Sequence, residues 1–244
     1  ATILIFAPKE MPPQDAAAIH AAGASFWPLA LARELDDAIL ELRSNEGDIG
    51  TWVFRSQGNV DFVAAADQAL IANAGDWLVR EITLYLKRTL KRVDVSSRSL
   101  IALVDQESCF AGTLLELVLA ADRSFMLDGK AEGSNLPAAA IRLTEMNFGA
   151  LPMGNSLTRL QRRLFATPDK VDELRQSIGQ SLEASDAEEM GLVTFIPDDI
   201  DWEDEVRLAI EERASYSPDG LTGMEANLRF PGPETMETKI FARL

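Results

Sequence analysis

Residues 99–122 read SLIALVDQESCFAGTLLELVLAAD, and this stretch decides the fold class. It contains most of a continuous apolar run at 98–104, which is typical of a strand buried on both faces of a parallel sheet. A polar loop ending in Gly112 leads into an apolar helix expected at 113–121, and a second strand is predicted at 123–127. Strand, helix and strand in this order predict a βαβ unit.

The same alternation extends over the rest of the chain. Further strands are predicted at 1–7, 49–54 and 191–196, with a short one at 140–143. Further helices are predicted at 28–43, 61–91, 156–164, 168–177, 185–190 and 201–214. The pattern predicts an α/β fold with a mostly parallel sheet and flanking helices. We expect residues 1–196 to form the core and residues 197–244 to form a helical extension of the same domain.

Composition and charge exclude several classes of function. Apolar residues make up 47% of the chain and charged residues 25%, which is ordinary for a globular domain. The 39 acidic residues against 23 basic ones give a net charge of −16. Such a surface repels nucleic acid and anionic lipid, so neither is expected as a partner. A CoA thioester is also anionic and would need local basic groups or backbone amides to bind.

Cysteine and histidine are too scarce for a disulfide or a His/Cys metal site. Cys109 is the single cysteine and His20 the single histidine, so no intrachain disulfide can form and no metal is expected. A reducing cytoplasm is the expected location. The apolar stretches are too short to span a bilayer. The absence of an initial Met and the abrupt end at KIFARL, residues 239–244, suggest a piece of a longer polypeptide.

Three sequence blocks resemble the crotonase (enoyl-CoA hydratase) family. They are GTLLELVLAAD at 112–122, EMNFGALPMGNSLTRL at 145–160 and EASDAEEMGLV at 183–193, and they occur in the order that the family has. The resemblance implies a crotonase-like α/β fold built from ββα units. It also implies an enzyme acting on a CoA thioester, with no separate cofactor because the substrate carries its own CoA.

Finer features resemble the C-terminal half of the benzoyl-CoA-dihydrodiol lyases. They are SCFAGTLLE at 108–116, MNFG at 146–149 and LTGMEANLRFPGPETM at 221–236. This resemblance implies one half of a ring-cleaving lyase in aerobic benzoate degradation. The enzyme would open 2,3-epoxybenzoyl-CoA hydrolytically to 3,4-dehydroadipyl-CoA semialdehyde and formate. The implied partners are the substrate, an N-terminal crotonase-like half of the same polypeptide and further copies in a homo-oligomer.

The resemblance also implies a site at the start of the helix at 113–121. Backbone N–H groups of Thr113 and Gly112 would stabilise the thioester oxyanion, as unpaired amides at a helix start favour an anion. Glu116 and Glu145 match the two hydratase glutamates and would move protons as acid and base. The side chains implied to line the substrate are Ser108, Cys109, Phe110 and Asn147.

Two departures from the family pattern leave a second interpretation open. The loop that usually supplies the other oxyanion donor carries a Gly-Ala-Asp turn, which is missing from residues 55–67, and the Gly-x-Gly-Gly of the second block is eroded to GNSL at 154–157. The chain could therefore be a degenerate crotonase-like domain that packs against a partner. In that case Glu116 is a helix-terminal acid, Glu145 a surface acid and Cys109 an inert apolar residue.

Overall fold

A four-stranded parallel sheet forms the centre of the computed structural model, which describes residues 1–232, 235, 237 and 238. The strands are β1 (Thr2–Phe6), β2 (Thr51–Gln57), β3 (Ser99–Val104) and β4 (Arg123–Met126). They lie in the order β1-β2-β3-β4, and each neighbouring pair is parallel. The predicted α/β architecture with a parallel sheet is confirmed.

Ten α-helices surround this sheet in the described part of the chain. They are α1 (Ala16–Ala22), α2 (Trp27–Ser44), α3 (Val60–Ala72), α4 (Trp77–Asp94), α5 (Gly112–Ala120), α6 (Arg159–Arg163), α7 (Asp169–Glu173), α8 (Ala184–Glu189), α9 (Trp202–Ser215) and α10 (Pro218–Arg229). Short 3-10 helices occur at Gly23–Ser25, Glu145–Phe148 and Leu174–Ser177. No described helix has both the length and the apolar character that crossing a membrane requires.

Side chains of the central strands alternate between two apolar layers, as the two-residue period of a strand requires. Trp52, Phe54, Leu100, Ala102 and Val104 belong to the main core, which also contains apolar residues of α2, α4 and α5. Val53, Ile101 and Leu103 point to the other face, where they join Phe125 and Ala209 of α9. Every residue of α5 is buried, because the helix lies within the main core.

Three sequence predictions of secondary structure are wrong. The helix predicted at 61–91 is two helices, since Asp76 starts α4 by accepting the N–H groups of Leu78 and Val79 at 2.9 and 3.2 Å. Residues 191–196 form only an isolated bridge between Phe125 and Phe195. The strand predicted at 140–143 is likewise reduced to isolated bridges.

The region expected to be a helical extension packs against the sheet. Helix α9 confirms the helix predicted at 201–214, whereas α10 is not predicted because its two glycines lower helix propensity. Tertiary contacts hold α10 in place: Arg229 donates to both carboxylate oxygens of Asp122, at 2.8 and 2.5 Å. Residues 239–244 of the expected extension lie outside the described residues.

Candidate functional site

Helix α5 begins in a tightly enclosed position. Gly112 has a φ of +42°, in the left-handed region that favours glycine. A Cβ at this residue would lie 1.7 Å from Oδ2 of Asp67 and 2.3 Å from Oγ1 of Thr144. The Gly112 N–H donates to the carbonyl of Arg142 at 3.0 Å. The first turn of α5 is therefore closed off by α3 on one side and by the segment around Thr144 on the other.

A carboxylate of the chain itself occupies the start of α5. Asp67, on α3, is 1% exposed, and its Oδ2 accepts the Thr113 N–H at 2.9 Å. Its Oδ1 accepts the Thr113 hydroxyl at 2.5 Å, and its Oδ2 also accepts the Thr144 hydroxyl at 2.8 Å. A helix start favours a negative charge because its amides lack partners within the helix. Here Asp67 supplies that negative charge.

These contacts correct the expectation that two open amides would form an oxyanion site. The Thr113 N–H is bound to Asp67, and the Gly112 N–H is bound to the carbonyl of Arg142. A thioester oxygen could reach the Thr113 amide only if Asp67 moved away. Both expected donors are therefore already hydrogen-bonded within the chain. For the Thr113 amide the physical reason is the affinity of a helix start for a nearby carboxylate.

Burial changes the ionisation of this carboxyl group. Removal from water raises the pKa of Asp67 from 3.8 to about 6, although the hydrogen bonds from Thr113 and Thr144 act in the opposite direction. The carboxylate form accepts three hydrogen bonds, which explains how a charge is tolerated in this enclosed place.

Glu116 lies in a buried ion-pair network that also includes a second acid. Its Oε2 accepts from Arg159 at 2.7 Å, and its Oε1 accepts from Asn147 at 2.6 Å. Arg159 is fully buried and donates to both oxygens of Asp94, at 3.0 and 2.6 Å, as well as to the Leu151 carbonyl at 3.0 Å. We call Asp67, Asp94, Thr113, Glu116, Asn147 and Arg159 the α5 network.

The surroundings of Glu116 favour a structural role. Burial raises the pKa of Glu116, while the Arg159 charge acts in the opposite direction. Both oxygens are already bound to side chains, and the residue is 1% exposed. Proton exchange with a substrate would require this network to open.

Glu145 lies in a different environment. Its side chain is 55% exposed, and its nearest charged partner is Arg175, at 3.4 Å. It begins the short 3-10 helix at Glu145–Phe148. The two glutamates that the resemblance implies as acid and base are therefore in different environments: Glu116 is buried and paired with Arg159, and Glu145 faces solvent.

The four side chains expected to line a substrate are engaged in local structure. Ser108 closes its own loop by accepting the Asp105 N–H at 3.0 Å. Cys109 and Phe110 are buried, and burial raises the pKa of the Cys109 thiol, which makes it a poor nucleophile. Asn147 donates to the Gly112 carbonyl at 2.9 Å and to Glu116 at 2.6 Å. It therefore links the first residue of α5 to the ion pair of Glu116 and Arg159.

The cavity beside Thr113 is too small for an acyl group. Its volume is about 10 Å³, and apart from Thr89 and Thr113 it is lined by leucines of α2, α4 and α5. A space of this size holds about one water molecule. In the described residues, no group of three or more His, Cys, Asp or Glu side chains is arranged to hold a metal ion.

Sequence reasoning missed three members of the α5 network, although a signal was present. Asp67 follows Val63 by four residues and precedes Leu70 by three, which places a carboxylate on the apolar face of α3. Asp94 continues the apolar face of α4 in the same way. Arg159 stands inside the second family-like block. Charged residues on apolar helix faces predict a buried pairing, but not which partners meet.

Comparisons with known proteins agree with this architecture. No family model matches the chain. It is 52% identical over 243 residues to a benzoyl-CoA-dihydrodiol lyase of Aromatoleum evansii, covering 100% of this chain but only 43% of that protein. The chain thus spans less than half the length of this relative.

Solved enoyl-CoA hydratases have the same fold. The enzyme from Bacillus anthracis is 22% identical with a TM-score of 0.64, covering 88% of this chain and 78% of the hydratase. The enzyme from Thermoplasma volcanium GSS1 is 19% identical with a TM-score of 0.62, covering 87% and 78%. The chain therefore has the crotonase fold, and over its whole length it is homologous to one part of a benzoyl-CoA-dihydrodiol lyase.

Proposed function

We propose that this chain is a supporting, non-catalytic part of a ring-cleaving lyase that acts on 2,3-epoxybenzoyl-CoA. The lyase would open the ring to 3,4-dehydroadipyl-CoA semialdehyde and release formate, as part of aerobic benzoate degradation. The assignment to this lyase rests on the 52% identity over the whole chain. The supporting role rests on one observation: Asp67 binds the helix-start amide that a thioester oxygen would need.

Electrostatics adds to the argument for a supporting role. A thioester enolate carries negative charge on its oxygen, and the fixed Asp67 carboxylate would repel it at this position. Displacing Asp67 would leave a buried carboxyl group without its three hydrogen bonds, which is costly. The rest of the enzyme, which this chain does not span, would then carry the reacting groups.

The proposed partners and location follow from the same assignment. The chain would pack against the remainder of its own polypeptide, and complete molecules would associate into a homo-oligomer. A reducing cytoplasm suits a chain whose one cysteine is buried and unpaired.

Glu116→Gln in the complete enzyme tests the supporting role. Because Glu116 pairs with Arg159 in the core, we expect the substitution to lower the free energy of unfolding by about 1–3 kcal/mol. We expect kcat, measured with 2,3-epoxybenzoyl-CoA and corrected for the folded fraction, to change less than about threefold. General acid-base catalysis typically contributes about 100-fold or more, so the two roles are well separated.

Glu145→Gln is the matched control, since it removes the same charge from an exposed position. We expect it to change neither stability nor kcat. A loss of about 100-fold in kcat at unchanged stability for Glu116→Gln would overturn the supporting role and favour direct catalysis by this segment.

A further inference from the structure

A pocket with arginine and acidic side chains in its lining lies at the amino-terminal ends of β2 and β3. Its volume is about 350 Å³. The walls come from the segment before β2, the segment before β3, the last turn of α9 and the first half of α10. We call it the Arg213 pocket. Its size lies within the range of small-molecule sites.

Arg213 is the buried cation of this pocket. The residue is 6% exposed, and its Nε is buried without a hydrogen-bond partner among the described residues. Within the same part of the chain its guanidinium makes one ion pair, from Nη1 to Oε1 of Glu225 at 3.5 Å. That oxygen already accepts the Ser99 hydroxyl at 2.5 Å. A buried guanidinium with so little partnering is costly unless an acceptor completes it.

A second arginine lines the same pocket. Arg98 donates through its Nη atoms to the Ser97 carbonyl at 2.9 Å and the Gly47 carbonyl at 3.4 Å, while its Nε is buried without a partner among the described residues. Both of these acceptors are neutral, and the pocket lining also contains one exposed acid, Asp48. Burial and the neighbouring Asp122 raise the pKa of Glu225, whereas the Ser99 hydrogen bond and the charges of Arg229 and Arg213 lower it.

The surroundings combine these charges with hydroxyl and apolar groups. Thr51 and Thr222 offer hydroxyl donors, and Ala214, Pro218 and Leu221 offer apolar surface. Arginine presents its N–H groups as a planar fork, which matches the two oxygens of a carboxylate. The apolar lining favours an organic anion over an inorganic one, and the two acids of the lining, Asp48 and Glu225, disfavour a doubly charged ligand.

We propose that the Arg213 pocket binds a small organic monocarboxylate, with its carboxylate on the Arg213 guanidinium and its apolar part against Leu221 and Pro218. The inference is independent of the function proposed above, since none of these residues belongs to the α5 network.

Calorimetric titration of the full chain at low ionic strength tests the proposal. The probes are benzoate, acetate, inorganic phosphate and benzyl alcohol, the last as a neutral analogue. We expect saturable binding of benzoate, weaker binding of acetate and phosphate, and none of benzyl alcohol. Arg213→Lys keeps the charge but loses the fork, so it is expected to weaken benzoate binding about tenfold.

Two further variants keep the result interpretable. Ala214→Trp fills the exposed rim of the pocket and leaves both arginines unsubstituted, and it is expected to abolish benzoate binding even if Arg213→Lys folds poorly. Arg207→Lys, on the exposed face of the same helix, is the matched control and should bind benzoate like the unmodified chain. Absence of saturable benzoate binding, tighter binding of phosphate than of benzoate, or equal weakening by Arg213→Lys and Arg207→Lys would each overturn the proposal.

Discussion

The α5 network and the Arg213 pocket bury charge in opposite ways. In the α5 network, Arg159 donates to two carboxylates and a carbonyl within 3.0 Å, and each oxygen of Asp67 and Glu116 accepts at least one hydrogen bond. In the Arg213 pocket, as far as the chain is described, the central guanidinium has one ion pair at 3.5 Å and a buried Nε without a partner. In the first arrangement every one of these groups has a partner, whereas in the second the Arg213 Nε–H donor is left for an acceptor atom of a ligand.

The difference shows that family motifs alone do not locate a site. The α5 region carries the residues that resemble a catalytic motif, yet the fold uses them to hold α3, α4, α5 and α6 together. The Arg213 pocket lies outside the three blocks that resemble the crotonase family. Whether a polar group is already satisfied within the chain separates a structural role from a binding role in both regions.

The largest expected effect is a difference in the free energy of unfolding between variants of Arg159 and Arg213. Arg159→Met leaves Asp94 and Glu116 buried without their cation, so we expect the free energy of unfolding to fall by about 3–5 kcal/mol. Arg213→Met removes one longer ion pair but also a buried Nε without a partner, and Glu225 keeps its bond to Ser99, so a loss of no more than about 1 kcal/mol is expected. Urea unfolding of both variants measures the difference, and equal losses would contradict it.

Gly112→Ala tests how tightly the start of α5 is closed. The new Cβ would meet Asp67 and Thr144 and would also force alanine into a left-handed conformation, so a loss of about 2–4 kcal/mol is expected. Gly129→Ala is the control, since Gly129 has a φ of +76° but no atom within 4 Å of the point that a Cβ would occupy. It should cost only about 1 kcal/mol. Similar losses in the two variants, by the same urea measurement, would show that the α5 start has room for a ligand.

The sequence predicts the architecture well because hydrophobic patterning determines it. The continuous apolar run at β3 and the apolar helix α5 locate the centre of the sheet. The strands predicted at 1–7, 49–54 and 123–127 correspond to β1, β2 and β4. The candidate site is less predictable, since it depends on which buried charges meet. Asp67 and Thr113 are 46 residues apart in the chain, and Asp94 and Arg159 are 65 apart. Local patterns do not encode such pairings, and the family resemblance gives Glu145 an acid-base role although its side chain is exposed.

The smallest expected effect is a pH dependence that originates in Asp67. Its pKa is about 6 in the folded chain against an ordinary value of 3.8, so the folded state binds more protons between these values. The contribution of Asp67 to the free energy of unfolding is therefore highest at low pH. It falls by about 2–3 kcal/mol in total as the pH rises from 3.8 to about 6. Above about pH 6 the contribution is constant. Asp67→Asn removes the titrating group, while the other acids are unchanged.

The difference between the two unfolding curves isolates this contribution. The free energy of unfolding of the unmodified chain minus that of Asp67→Asn should decrease from pH 3.8 to about pH 6 and then level off. A difference that is flat from pH 3.8 to 6 but decreases as the pH falls below 3.8 would mean that the hydrogen bonds from Thr113 and Thr144 outweigh burial. The carboxylate would then hold the start of α5 even more firmly closed. A difference that is flat both above and below pH 3.8 would place Asp67 in contact with water, which would reopen the α5 start as a place for a ligand.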